Sequence, residues 1–241
     1  MSSRTGGRRQ FLAQLSLAAA GAGWIARGRT SAEPPQTEQL SNRSPRQFQV
    51  LQRTGFDPRQ GHEHAAGAAP LGEATVTVRG EVAAEYAERF EYRVELWDGA
   101  YGQPLDWQPF EVSRDANRFE GQIRIPAGGW YRLRIRGHSA DGKTATDSQE
   151  PIGVGEVFLI AGQSYAAGAN DELLRVTEPQ NRVTAFDLAR STWQVAHDPQ
   201  PAVGDGGTIW PPLGDLLVPL LRTPVAFAAL TAVWTTAPPA T

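Results

Sequence analysis

Between residues 71 and 150 the chain alternates apolar and polar residues, and few folds tolerate that pattern. Phe90, Tyr92, Val94 and Leu96 are interleaved with Arg89, Glu91, Arg93 and Glu95. A period of two sends successive side chains to opposite faces of a strand buried on one side. Residues 75–78, 119–125 and 131–135 do the same, the last with Arg132, Arg134 and Arg136 on the polar face. Turn formers separate the runs: Asp98-Gly99, Asp115-Ala116-Asn117, Pro126-Ala127-Gly128-Gly129 and Asp141-Gly142. Short strands at this spacing, with no helical period between them, predict an antiparallel β-sandwich over 71–150.

At residue 153 the pattern changes. Val157-Phe158-Leu159-Ile160-Ala161 is continuously apolar, as expected of a parallel strand covered on both faces by helices. Residues 182–186 and 224–230 are further strand candidates. Leu213, Leu216, Leu217, Leu220 and Leu221 recur at the spacing of one helix face, although Pro219 inside that run should cost about 3 kcal/mol or kink it. Strand, loop, strand, helix, strand is an α/β order. The fold class expected is therefore mixed: an N-terminal antiparallel β-sandwich, then an incomplete α/β domain over 151–230.

The amino terminus reads as an address rather than as fold. Arg8-Arg9-Gln10-Phe11-Leu12 precedes an Ala-rich apolar stretch over 11–25 and a small-residue site, Thr30-Ser31-Ala32. This resembles a twin-arginine export signal over 1–32, which implies a periplasmic or extracellular protein. The stretch is shorter than a membrane span, and no later segment could span a bilayer. Removing the signal takes away five of the 23 basic residues and leaves 18 against 26 acidic ones, a formal charge of −8. No basic cluster remains to follow a phosphate backbone, so nucleic acid is not an expected partner. With no cysteine, disulfides and thiolate chemistry are excluded.

Residues 33–70 read as a linker with one strand, near Phe48-Gln49-Val50-Leu51. His62 and His64 would share a strand face as metal ligands do, but no third ligand follows at sensible spacing; a solvated loop is expected, and neither metal nor cofactor is implied. Arg132, Arg134 and Arg136 could hold an anion or simply face solvent. Trp97, Trp107 and Trp130 could stack on sugar rings or pack in the core.

The segment Gly155-Glu156-Val157-Phe158-Leu159-Ile160-Ala161-Gly162-Gln163-Ser164 carries the chemistry. A serine three residues past the end of a buried strand stands where α/β sheets bind their ligands, but it needs a base and oxyanion donors to act. Gly-Gln-Ser-Tyr-Ala also approaches the G-x-S-x-G elbow. The longer stretch resembles the first block of the sialate O-acetylesterase-like branch of the SGNH hydrolases, G-E-V-aromatic-apolar-apolar-small-G-Q-S-N. Softer matches are residues 183–187, Trp193, Asp198-Pro199-Gln200-Pro201 and Trp210-Pro211. The resemblance covers about 150–230 and implies a flavodoxin-like three-layer domain, an acetylated carbohydrate substrate and Ser164 as nucleophile. Its N–H would be an oxyanion donor, with Gln163 and Tyr165 as neighbours of the substrate. A β-domain ahead of the catalytic one also resembles this family.

The departures from that family are specific. Tyr165 replaces the family's Asn. After Ala229 the sequence runs Leu230-Thr231-Ala232-Val233-Trp234 into a Thr/Pro/Ala-rich tail over 231–241, expected to be disordered. No Gly-rich second block, third block or D-x-x-H base follows. His197, with Asp198 beside it, lies in an early loop. The expectation is a truncated esterase that is inactive as this chain, with an uncovered sheet prone to self-association. The competing reading is a non-catalytic glycan-binding β-domain.

Overall fold

The computed structural model describes residues 39–57, 71–97, 101–201 and 204–231. All of them fall in one compact unit, Thr37–Thr241. Residues 1–32, where an export signal is expected, His62 and His64, and residues 232–241 lie outside the described residues. No described helix is long and apolar enough to cross a membrane.

The chain is mostly β. Twelve described strands run in order: β1 Leu40–Ser44, β2 Val50–Gln52, β3 Glu73–Val82, β4 Arg89–Leu96, β5 Leu105–Pro109, β6 Val112–Asp115, β7 Arg118–Pro126, β8 Trp130–His138, β9 Thr144–Gly162, β10 Val183–Asp187, β11 Thr192–Val195 and β12 Val225–Thr231. One α-helix, α1, spans Trp210–Leu221 between β11 and β12.

The alternating segments pair antiparallel as their pattern requires. One sheet has the order β1-β3-β7-β6; the second, of eight strands, runs β5-β4-β8-β9 across the sandwich and on through β12-β10-β11, with β2 also paired to β9. Val76, Val78, Ile123 and Ile125 from the first meet Val94, Leu133, Ile135 and Ile152 from the second in one buried cluster. On the solvent face the arginines of β8 find partners across the strands: Arg136 with Glu91 at 2.6 Å, Arg134 with Glu95 at 3.2 Å, and Arg132 with Glu95 and Glu150. Cross-strand ion pairs therefore account for Arg132, Arg134 and Arg136.

Region 33–70 was expected to hold one strand, but its described part holds two. β1 pairs with β3, and β2 pairs with β9 in parallel. LSNRS has no apolar alternation to announce β1; its strand state comes from the partner beside it.

β9, 19 residues long, begins in the sandwich against β8 and leaves it at about Gly153. From Glu156 to Gly162 it pairs in parallel with β12, which pairs in parallel with β10. The boundary expected near residue 150 falls inside this strand. Gly155 permits the handover, because a Cβ there would sit 2.0 Å from both Pro224 O and Thr223 Oγ1.

Two expectations about this second part need correction. Among the described residues a helix covers one face of its sheet only, and the other face is packed just around Ala226, by Val50, Trp130 and Trp193. α1 packs over Phe158, Ile160, Val225 and Phe227, whereas Leu159 and Leu230 on the other face are 67% and 52% exposed. Only part of the predicted leucine face meets the sheet: Leu213, Leu217 and Leu221 pack against the core, and the helix is rotated so that the other two do not. Leu216 and Leu220 are 70% and 69% exposed, and Pro211, Gly214 and Val218 are buried. Gly214 sets this rotation: a Cβ on it would lie 2.2 Å from Val183 Cγ1, so the helix meets β10 along its smallest residue. Pro219 stays inside the helix, which ends at Arg222 in the left-handed conformation.

Candidate functional site

β9, β12 and β10 run in parallel, so their carboxyl ends share one edge of the sheet, the edge where such sheets bind ligands. Ser164 stands just beyond the end of β9. Gln163 is extended (φ −136°, ψ 179°), and at Ser164 the backbone turns into a left-handed conformation, φ 49°. For a residue with a Cβ that conformation costs about 1–2 kcal/mol, and such strain concentrates at functional sites. A single 3-10 turn, Ser164–Ala166, follows.

Three contacts hold the turn. Ala166 N donates to Gln163 O at 3.1 Å, Ala167 N to Ser164 O at 2.9 Å, and Trp210 Nε1 to Ala166 O at 3.1 Å. Trp210, at the start of α1, thus anchors the turn from the far side. Sequence reading noted Trp210 only as a soft match; its anchoring role depends on a contact 44 residues away. Gly204 approaches the same turn, where a Cβ would lie 2.2 Å from Ala167 O.

The Ser164 hydroxyl is exposed and has no hydrogen-bond partner among the described residues. The N–H groups of Ser164 and Tyr165, first in their turn, likewise have none, as expected at the start of a helical turn. Two donors and a hydroxyl are therefore left unengaged at one exposed turn. Gln163 is exposed there too, and Tyr165 is 69% exposed.

No histidine stands near Ser164 among the described residues. Among the described residues only His138 and His197 are histidines. His138 lies in the sandwich, with Nε2 2.6 Å from Glu91. His197 follows β11, which runs antiparallel to β10, and Ala196 N donates to Val183 O. Val183 is in register with Val225 and Glu156, which puts His197 at the opposite end of the parallel strands from Ser164. Six residues of β9 separate the two levels, roughly 20 Å at ~3.3 Å per residue. His197 Nδ1 accepts the Val176 N–H at 3.1 Å. Burial and the Arg175 charge hold its pKa below 6.5, while Asp215 pulls weakly the other way.

The loops around β10 are tied by three carboxylates, Asp198 and Glu178 buried and Asp215 half-buried, of which sequence reading noted only Asp198, as part of a soft match. Asp198 accepts from Leu174 N, Thr208 N, Thr208 Oγ1 and Gln200 Nε2. Asp215 accepts from Thr177 N, Thr177 Oγ1 and Glu178 N. Glu178 pairs with Arg182 at 2.6 Å, both side chains nearly buried. Spacing alone could not reveal the roles of Asp198 and Asp215, because most of their partners belong to loops 10 to 38 residues away.

The tryptophans divide. Trp130 is 4% exposed and packs with Val50 and Ala226 in the core. Trp107 is half-buried under the Arg136 guanidinium, 3.8 Å from the ring centroid. Trp97 is 48% exposed. No group of three or more potential metal ligands occurs among the described residues.

No protein-family model and no curated protein matches the chain. Three solved structures are similar over parts of it. They are the sulfane dehydrogenase SoxCD of Paracoccus pantotrophus (10% identity, 44% of this chain and 23% of that one, TM-score 0.25), a cycloalternan-degrading enzyme of Trueperella pyogenes (16%, 49% and 17%, 0.26) and a DUF4466-family protein of Parabacteroides merdae (13%, 47% and 44%, 0.20). The chain spans less than half the length of each.

Proposed function

We propose that Ser164 is the nucleophile position of an exported carbohydrate esterase of the SGNH type, sialate O-acetylesterase-like, whose chemistry is removal of acetyl groups from sugars. The observation that carries this reading is the left-handed serine at the carboxyl end of a parallel strand, with unengaged N–H groups at Ser164 and Tyr165. In that role the Ser164 oxygen attacks the acetyl carbonyl, the hydroxyl proton passes to a base, and the two N–H groups receive the developing oxyanion. The flavodoxin-like three-layer fold belongs to the same proposal. The parallel order β10-β12-β9 with α1 on one face supports it.

Because no described histidine is placed to supply the base, the chain by itself should hydrolyse acetyl esters no faster than its Ser164→Ala variant. Free imidazole then serves as the test. It should accelerate hydrolysis of p-nitrophenyl acetate and of an acetylated sugar by wild type beyond its effect on Ser164→Ala. Equal rates for the two proteins with imidazole present would sink the nucleophile assignment. Strong Ser164-dependent turnover without imidazole would keep the esterase and overturn the missing base; loss of that turnover in His197→Asn would identify His197 as the base.

A further inference from the structure

A cavity of about 1080 Å³, which shares no lining residue with the Ser164 turn, lies between the outer face of the four-stranded sheet and the β10–β11 hairpin. Its lining reverses the charge of the protein. Arg43, Arg46, Arg79, Arg114 and Arg118 line it with only three acids, whereas the whole chain carries a net charge of −3. Glu81 and Glu120 are engaged, with Arg43 at 3.2 Å and Arg79 at 2.9 Å. Arg118 has no ion-pair partner among the described residues. Positive charge gathered in the concavity of an acidic protein selects an anionic ligand and raises its local concentration.

The opposite wall is aromatic. Phe186 and Trp193 lie with ring centroids 4.9 Å apart, tilted by 45°. Trp193 also packs against the Val50–Trp130–Ala226 cluster, so part of the indole is fixed in the core while the side chain remains half-exposed to the cavity. One guanidinium group is anchored as well: Arg46 Nη1 donates to Ser191 O, whereas Arg114, paired with Phe119 on the core face, turns its guanidinium to Ala87 O. Anchored guanidinium groups lose little freedom on pairing with a carboxylate or sulfate.

We propose that this cleft binds an acidic polysaccharide, with sugar rings against Trp193 and Phe186 and their carboxylate or sulfate groups on the arginines. Bare phosphate would leave the aromatic wall without a role, and a neutral glycan would leave the charge without one. The site is separate from the tryptophans of the sandwich face, and the proposal is independent of the esterase reading.

The test uses the full-length Ser164→Ala chain, so that ester cleavage plays no part in the outcome. Calorimetric titration with oligogalacturonate, dextran sulfate, dextran and oligo-dT separates the ligand classes. Binding of oligogalacturonate, dextran sulfate or both is expected, weakening with added salt, with no binding of neutral dextran. Which of the two binds identifies the anionic group. Arg118→Ala, on an exposed strand end, should weaken binding about tenfold, the effect of losing one charge-assisted hydrogen bond. Trp193→Leu should weaken it as well, provided its circular dichroism matches wild type. The proposal is overturned if neither acidic polymer binds, if Arg118→Ala leaves affinity unchanged, or if oligo-dT binds as tightly at the same residues.

Discussion

Cutting the Glu178–Arg182 pair should unfasten β10 from within. The Glu178 carboxylate accepts from Arg182 Nη2 at 2.6 Å, Nε at 2.9 Å, Arg182 N at 2.8 Å and Gln180 N at 3.1 Å. The two side chains are only 5% and 8% exposed. Glu178→Ala leaves a buried guanidinium with Gln180 Oε1 at 2.9 Å and the Tyr101 ring at 5.3 Å as its remaining neighbours. Removing one partner of a buried pair costs about 3–5 kcal/mol. At about 2–4 °C per kcal/mol for a chain of this size, Tm should fall by about 6–20 °C. The remaining neighbours favour the lower half of that range. Glu178→Gln keeps an acceptor and should lose less. The double variant Glu178→Leu/Arg182→Met removes the stranded charge and should recover much of the loss, although two main-chain N–H groups still lack their acceptor. Calorimetric unfolding reads all three. A drop under about 2 °C for Glu178→Ala would refute the reasoning, because a buried unpaired cation cannot be that cheap.

Two further outcomes follow from the geometry. His197 is held below the unfolded value of 6.5 by burial and Arg175, so the unfolded chain takes up its proton first as pH falls. Stability tied to His197 is thus present above pH 6.5 and is lost as pH drops through the window between the unfolded and folded values. NMR titration should place its midpoint below 6.5, and His197→Asn, which keeps an acceptor for Val176 N, should lack that acid-sensitive step; a midpoint at or above 6.5 contradicts this. The second outcome concerns the open edge of β9, whose backbone is engaged by Arg53 N at Gly155 O and by Gln52 Oε1 at Val157 N. Beyond Val157 no described strand pairs with that edge, and Leu159 beside it is 67% exposed. Sedimentation equilibrium should show self-association that Leu159→Lys suppresses, since a charge on an edge strand blocks pairing; a wild-type monomer at all concentrations would refute it.

Much of the sandwich was legible, and for a local reason. Strands β3, β4, β7 and β8 bury one face and wet the other, so alternation at Phe90-Tyr92-Val94 or Phe119–Ile125 writes the fold directly into the sequence. β1 and β11 escaped notice because LSNRS and TWQV are held as strands by a neighbour rather than by their own pattern. At the candidate site, the serine after a run of apolar residues was readable, together with the flexible Gly162 before it. The Trp210 anchor and the clamps of Asp198 and Asp215 were not, because each joins loops far apart in the chain.

Composition and spacing by themselves determined that this chain is β-rich, free of thiol chemistry and supplied with a serine at the end of an apolar strand. Those are properties of single residues and their near neighbours. Only the tertiary structure decided how α1 is rotated on the sheet, since the close approach of Gly214 to Val183 keeps Leu213, Leu217 and Leu221 on the core and turns Leu216 and Leu220 out. It also decided that Ser164 and His197 stand at opposite ends of the parallel strands, and that arginines from four strands and loops gather against Trp193 and Phe186. Those outcomes depend on strand register and on contacts between distant segments, which local periodicity does not encode.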